Sequence, residues 1–276
     1  MVSLPAVAIL GAGSMGGAIL SGLLAPGVTV EGGIRVTNRT EAKAAALRTD
    51  GVASFSTEAD PRANVAAVSG ARIVLAAVKP AMIPDLLGEV AAGLDPDAVV
   101  VSVAAGVTTA TMEALLPEGV AVLRAMPNTP AVVGRAVTGL SAGSRSTAEQ
   151  LALVSALFET VGTVVVVPEE RIDALGTISG SGPAYVFYLI EQLTSTAVGL
   201  GFTPADAATL VNTTFLGASE LLAASGRTPE ELRHQVTSPK GTTERAIAEL
   251  EGADLKALFD RATAAALARA KELAAG

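Results

Sequence analysis

The 276-residue chain has no cysteine and one histidine, His234. Disulfides, thiolate metal sites, a cysteine nucleophile, a histidine-rich metal centre and a relay of several imidazoles are therefore excluded. Tryptophan is absent, tyrosine occurs twice, and aromatics make up 3% of the residues. A core must then be assembled from Ala, Val, Leu and Ile. Charged residues are also scarce, at 17%, while half the chain is apolar, a balance that can offset ordering entropy and excludes intrinsic disorder. The net charge of -8 opposes the phosphate backbone, so no nucleic-acid partner is expected. The length is about twice that of a typical single domain.

No charged side chain occurs between Met1 and Val30. A secretory signal would carry a basic region ahead of its apolar stretch, and a membrane span would need an unbroken run long enough for a bilayer of roughly 30 Å. Here glycines interrupt short apolar runs. A second uncharged stretch, Ala174 to Ile190, is broken by Gly180, Gly182 and Pro183. The expectation is a soluble, cytoplasmic protein with no membrane partner.

What is present is an alternation. Val7 to Leu10 reads as a strand, Gly11 as a tight turn and Met15 to Ala25 as a helix. Strands follow at Ile34 to Thr37, Val52 to Phe55, Ile73 to Val78, Ala98 to Val103, Val120 to Met126, Ala136 to Ala142 and Val164 to Val167. Helices are expected at Glu41 to Arg48, Met82 to Leu94, Met112 to Leu116 and Ala148 to Val161. Continuously apolar strands separated by helices predict a parallel sheet covered on both faces. Beyond Pro168 no further strand is expected, and the helices there break at Ser179 to Pro183, Gly201 to Pro204, Gly226 to Pro229 and Ser238 to Gly241. The fold expected is α/β, a doubly wound mostly parallel sheet over 1–167, followed by an all-helical domain over 168–276 whose faces are buried on a second subunit.

Gly11-Ala12-Gly13-Ser14-Met15-Gly16 matches G-x-G-x-x-G at the first strand-to-helix junction. The first Gly makes the turn, the second lets backbone approach a pyrophosphate, the third permits close helix packing, and the helix N-terminus faces the anion. After the second strand, where an acidic residue would hold the ribose of NAD, the chain has Asn38-Arg39. Arg39 could pair with a 2'-phosphate, which favours NADP, or be a solvated loop charge. Lys79 ends the strongest apolar strand, where it could face a cofactor or simply solvent. Ser102-Val103-Ala104-Ala105-Gly106 places small residues at the same sheet edge, where a nicotinamide ring could approach.

In the second half, Ser179-Gly180-Ser181-Gly182-Pro183 leads into a long helix. Thr237-Ser238-Pro239-Lys240-Gly241-Thr242-Thr243-Glu244 leads into another. The Gly-Thr-Thr turn offers amides and hydroxyls to a small carboxylate, or is only a capped helix with Glu244 closing a capping box.

These blocks, with Ala77-Val78-Lys79-Pro80 and Arg124-Ala125-Met126-Pro127-Asn128-Thr129-Pro130, run in the order seen in pyrroline-5-carboxylate reductases, which the chain resembles from end to end. The resemblance implies a Rossmann-like N-terminal domain, an all-α C-terminal dimerisation domain, and NAD(P)H-dependent reduction of 1-pyrroline-5-carboxylate to L-proline, the last step of proline biosynthesis. It implies NADPH as cofactor, with NADH as the alternative, and a homodimer, or a decamer of dimers. Carried over by position, Gly11, Ala12, Gly13, Ser14, Met15, Gly16, Asn38, Arg39, Asn64, Ala77, Val78, Lys79, Pro80 and Ala104 would contact the cofactor. Ser238, Gly241, Thr242 and Thr243 would hold the substrate, with the amides of Gly241, Thr242 and Thr243 on its carboxylate. The Thr243 hydroxyl, the one catalytic group implied, would lie near the ring nitrogen. Lys240 stands where the family usually has a second Gly, which tests the backbone there; turned inward, it would add a cation beside the carboxylate. No metal is implied, since a protonated imine already carries the charge that accepts a hydride. His234 reads as a helix-end or surface residue. A β-hydroxyacid dehydrogenase or imine reductase would share the two-part plan, but the hydroxyacid branch expects a Lys on the helix from Ala184 to Leu200, where there is none. A non-catalytic NADP-binding protein would not need the 238–243 loop.

Overall fold

The computed structural model describes residues 1–275. The strands are β1 (Val2–Leu4), β2 (Val7–Leu10), β3 (Val28–Val30), β4 (Ile34–Asn38), β5 (Val52–Ser56), β6 (Ile73–Ala76), β7 (Val99–Ser102), β8 (Ala121–Met126), β9 (Ala136–Ala142) and β10 (Gly162–Val166). The helices among them are α1 (Ser14–Leu23), α2 (Glu41–Ala45), α3 (Ala63–Val68), α4 (Ile83–Val90), α5 (Thr109–Glu113), α6 (Ala148–Glu159) and α7 (Ile172–Leu175). Then come α8 (Gly182–Gly199), α9 (Pro204–Ser225), α10 (Pro229–Gln235), α11 (Thr242–Gly252) and α12 (Leu255–Ala275). The chain divides into two compact units: one takes Met1–Ser181 with the end of α12 from Ala266, the other Gly182–Ala265.

In the first unit eight strands form one sheet in the order β5-β4-β2-β6-β7-β8-β9-β10. All neighbours are parallel except β8 and β9. The central strands β2, β6 and β7 are buried throughout, which is why they read as unbroken apolar runs rather than alternating ones. Alternate residues serve opposite faces. Ile9, Leu75, Val101 and Leu123 pack with Ile19 of α1 and Phe158 of α6. Leu10, Val74, Val100 and Val122 pack with Val68 of α3, Leu87 of α4 and Met112 of α5. Each such aliphatic side chain contributes about 1.5–3 kcal/mol relative to exposure.

The sheet lies in the expected places, with three additions. β1 and β3 form a separate two-stranded parallel sheet, and α3 occupies a stretch with no expected element. Three-residue strands are too short to show a period, and α3 is a six-residue helix without a side-chain cap at Arg62. The expected helix at Met112 to Leu116 begins earlier, at Thr109, because the Thr108 hydroxyl accepts from the Thr111 amide and starts it there.

The second unit is helical. Two of its helices start at hydroxyl caps followed by proline: Thr203 accepts from the Asp206 amide ahead of α9, and Thr228 accepts from the Glu231 amide in a reciprocal capping box ahead of α10. Gly226, at φ 66°, ends α9. The expected break at Ser179 to Pro183 takes another form: Gly176–Gly180 makes a π-helical turn after α7. This turn and α7 belong to the first unit, so its compact part extends past the 167/168 division to Ser181. The cause lies in packing: Leu175 lies against Gly139 of β9, and a Cβ there would meet its Cδ2 at 2.7 Å.

Candidate active site

The carboxyl ends of the central strands line up. Leu10 pairs with Thr37 on one side and Ala76 on the other, and Ala76 pairs with Ser102. The chain reverses its direction of winding between β4 and β6, so β2 stands at the switch point where doubly wound sheets bind ligands. Register thus gathers Gly11, Asn38, Ala77 and Ala104 along one edge.

The glycine turn divides its labour as the motif requires. Gly11 has φ +87°, and a Cβ on it would lie 2.8 Å from Val78 Cγ1 and 3.0 Å from the Ala77 carbonyl oxygen. Its amide and that of Ala12 donate to the Thr37 carbonyl at 3.1 and 2.9 Å, and Gly11 N also donates to Thr37 Oγ1 at 3.3 Å. Gly16 packs inward, where a Cβ would come within 2.9 Å of the Gly11 carbonyl oxygen. Gly13 faces open space, with nothing within 4 Å of a Cβ, and caps α1 with no side-chain bond. No acidic residue occupies the first turn of α1. Open space at Gly13 beside uncapped amides at a helix N-terminus suits a pyrophosphate.

At the end of β4, Asn38 is buried and its Nδ2 has no hydrogen-bond partner. A buried amide nitrogen without an acceptor costs about 1–3 kcal/mol, so a ligand that accepts there would recover it. Arg39 is exposed and lies 3.8 Å from Glu58. Such surface pairs contribute about 0–1 kcal/mol, leaving the guanidinium free to exchange Glu58 for a phosphate. At the start of α2, a hydrogen bond from the Arg48 guanidinium holds the Glu41 carboxyl below the usual carboxylate range. Ala77 and Val78 wall the turn, Lys79 and Pro80 are exposed beyond β6, and buried Ala104 donates its amide to Ser102 Oγ at 3.1 Å. Asn64, on α3, is engaged elsewhere: its Nδ2 donates to Glu89 of α4 at 3.0 Å.

Sequence reasoning gave no role to Thr37 or Asn128. Thr37 would have been found as the register partner of Leu10. Asn128, buried after β8, accepts from Val137 N and donates to the Ser179 carbonyl, both at 2.9 Å, which ties the Met-Pro-Asn-Thr-Pro loop to the π turn. Nearby, buried Arg124 pairs with Asp173 and Glu169, and Glu169 accepts from Thr109 N at 2.7 Å. Only tertiary contact joins these residues.

In the helical unit, Gly241 caps α11 and Thr242 and Thr243 open it. A Cβ at Gly241 would lie 2.9 Å from the Ser238 carbonyl oxygen. The Gly241 amide donates to that oxygen at 2.9 Å. The amides of Thr242 and Thr243 belong to the helix's first turn, which lacks intrahelical acceptors. Thr243 is half-buried and Ser238 exposed. Lys240 keeps a glycine-like backbone, at φ 61°, and its amide donates to Glu244 Oε2 at 2.9 Å. Glu244 therefore reaches one residue beyond the capping-box position. His234 is an exposed residue in the last turn of α10, 3.6 Å from Glu230. Among the described residues no His, Cys, Asp and Glu cluster is placed to hold a metal ion.

A doubly wound sheet with a glycine turn at its switch point defines a dinucleotide-binding protein of the Rossmann-like class. A family model described as pyrroline-5-carboxylate reductase dimerisation matches residues 169–273, and one described as NADP oxidoreductase coenzyme F420-dependent matches 6–106. A pyrroline-5-carboxylate reductase of Corynebacterium melassecola is 40% identical over 97% of this chain and 98% of its own. The solved pyrroline-5-carboxylate reductase of Coxiella burnetii is 37% identical, with a TM-score of 0.89 over 97% of each chain. The Plasmodium falciparum pyrroline carboxylate reductase, solved with NADP bound, shares the fold at 23% identity and a TM-score of 0.80 over 97% of each chain. The chain belongs to the pyrroline-5-carboxylate reductase family.

Proposed function

We propose that the protein reduces 1-pyrroline-5-carboxylate to L-proline with NAD(P)H. The observation that carries this reading is family kinship over the whole chain, spanning both the glycine turn and the Ser238–Thr243 loop. When bound, the reduced nicotinamide supplies a hydride. The chain's residues then have binding and orienting tasks. The first-turn amides of α1 hold the pyrophosphate, with Gly13 leaving room for it. Asn38 and Arg39 hold the adenosine end, and Arg39 confers preference for the 2'-phosphate. Ala77, Val78, Lys79, Pro80 and Ala104 line the remainder, and Asn64 joins them by giving up Glu89.

In the helical unit, the amides of Thr242 and Thr243 and the Ser238 hydroxyl take the substrate carboxylate, with Gly241 needed for its missing side chain. The Thr243 hydroxyl orients the ring nitrogen. Because the protonated imine is itself the electrophile, positioning supplies most of the catalysis and no strong base is needed. The division of labour at 167/168, a cytoplasmic location and a decamer of dimers complete the reading. A homodimer agrees with the dimerisation model on residues 169–273 and with the apolar residues that α8 and α9 leave exposed.

The test is purified protein with 1-pyrroline-5-carboxylate and NADPH or NADH, following loss of reduced-nicotinamide absorbance. Turnover with proline as product is expected; none with either cofactor refutes the assignment.

A further inference from the structure

We infer that Glu244 is a positioning residue that holds the 238–243 loop in its working conformation, doing for Lys240 what a glycine would do through its own backbone freedom. The inference rests on the reading that this loop holds the substrate carboxylate. Three observations converge on it. Lys240 has φ 61°, a left-handed conformation in which an L side chain crowds its own carbonyl and which non-glycine residues rarely adopt. The bend is also closed one residue further on, where the Gly241 amide donates to the Ser238 carbonyl at 2.9 Å. Finally, the one bond recorded for the Lys240 amide is the 2.9 Å bond to Glu244 Oε2, a charge-assisted contact from the first turn of α11 back across the bend.

A carboxylate in the first turn also favours α11 through the helix dipole. A helix-stabilising role and a loop-setting role differ in one respect. The first is indifferent to which residue stands at 240; the second is not. With Lys240 present, losing the Glu244 acceptor lets the loop leave the left-handed conformation. Apparent substrate affinity then falls with the fraction of molecules whose loop remains competent. With glycine at 240 the conformation carries no steric penalty, and most loops stay competent without the acceptor.

The experiment is a double-mutant cycle on the full-length protein with Glu244→Ala, Lys240→Gly and the pair. Two readouts are taken: steady-state kinetics with saturating NADPH, and hydrogen exchange of the amides of Ser238 and 240–243 without substrate. In the native background Glu244→Ala raises KM for 1-pyrroline-5-carboxylate about tenfold, equivalent to about 1.4 kcal/mol, with kcat falling less than twofold. It also speeds loop exchange about tenfold. In the Lys240→Gly background the same substitution changes each by less than twofold. Glu244→Gln, which keeps an acceptor oxygen, raises KM by less than threefold. Equal effects of Glu244→Ala in the two backgrounds reduce Glu244 to a helix cap and overturn the inference, as does an unchanged exchange rate. If exchange follows the cycle while KM does not, the loop is set by Glu244 but does not bind the substrate. That outcome refutes the reading of the loop, while turnover by the native protein still upholds the reductase assignment.

Discussion

The two units spend their apolar residues differently. In the sheet unit, Ile9, Leu10, Leu75 and Leu123 of the strands and Phe158 of α6 are withdrawn from water, and those strands are covered on both faces. In the helical unit, α8 has no buried residue, Phe187 is 65% exposed and Leu216 is 60% exposed. Val186, Phe187, Ile190, Phe215 and Leu216 line one hollow between α8 and α9. A monomer rarely leaves so much contiguous apolar surface in water. The first unit closes its core within one chain, whereas the second has the surface of an interface, in keeping with the dimerisation model that matches it. The two candidate helix-entry turns differ in the same spirit. Ahead of α1 the left-handed residue is Gly11, locked against buried strands; ahead of α11 it is Lys240, exposed and held by a single side chain.

Gly11→Ala is expected to have the largest effect. A Cβ pressed on Val78 and the Ala77 carbonyl at positive φ should lower NADPH affinity at least a hundredfold and destabilise the sheet unit by about 2–4 kcal/mol, read by fluorescence titration and thermal melting. Near-native affinity would show that the turn tolerates what its geometry forbids. Phe187→Asp probes the other unit: it should shift the protein from dimer to monomer in sedimentation at micromolar concentration while the sheet unit still binds NADPH. A dimer of unchanged stability would remove α8 from the interface.

Thr243→Ala should lower kcat about tenfold or more with NADPH binding almost unaltered, as one lost hydrogen bond to a reacting group implies. Arg39→Ala should raise KM for NADPH about tenfold and KM for NADH less than twofold; equal changes would make Arg39 a bystander.

The smallest effect concerns acid. Hydrogen bonds from the Thr228 amide and hydroxyl hold the Glu231 carboxyl below its usual range. A lowered folded pKa means a contribution to stability that is complete above the unfolded value and fades as pH falls through the folded one. An NMR titration should place the Glu231 midpoint below that of a free glutamate, and Thr228→Ala should raise it. A midpoint indifferent to Thr228 would mean the capping box does not persist in solution.

Much of the sheet was legible from sequence because buried parallel strands must be apolar throughout, and Val7–Leu10, Ile73–Ala76 and Val99–Ser102 announce themselves in that way. The short β1 and β3 were not, since three residues hold no period. Of the candidate site, the glycine turn was legible because each of its glycines answers a distinct steric demand. Thr37 was not, because its role depends on its hydrogen bonds with Gly11, 26 residues away. Nor was the occupied Gly241 amide, whose acceptor depends on how the 238–241 bend closes.

By itself, the sequence determined the chemistry this chain could not perform, the alternation of strands and helices, and the motifs at two helix entries, since composition, period and turn chemistry are local properties. Tertiary structure decided which strand ends share an edge, that Asn38 is buried without a partner, that α7 and the π turn pack with the sheet unit, and that Lys240 adopts a glycine's conformation with Glu244 beside it. These depend on register, burial and closure, which arise only when residues distant in the chain compete for the same space.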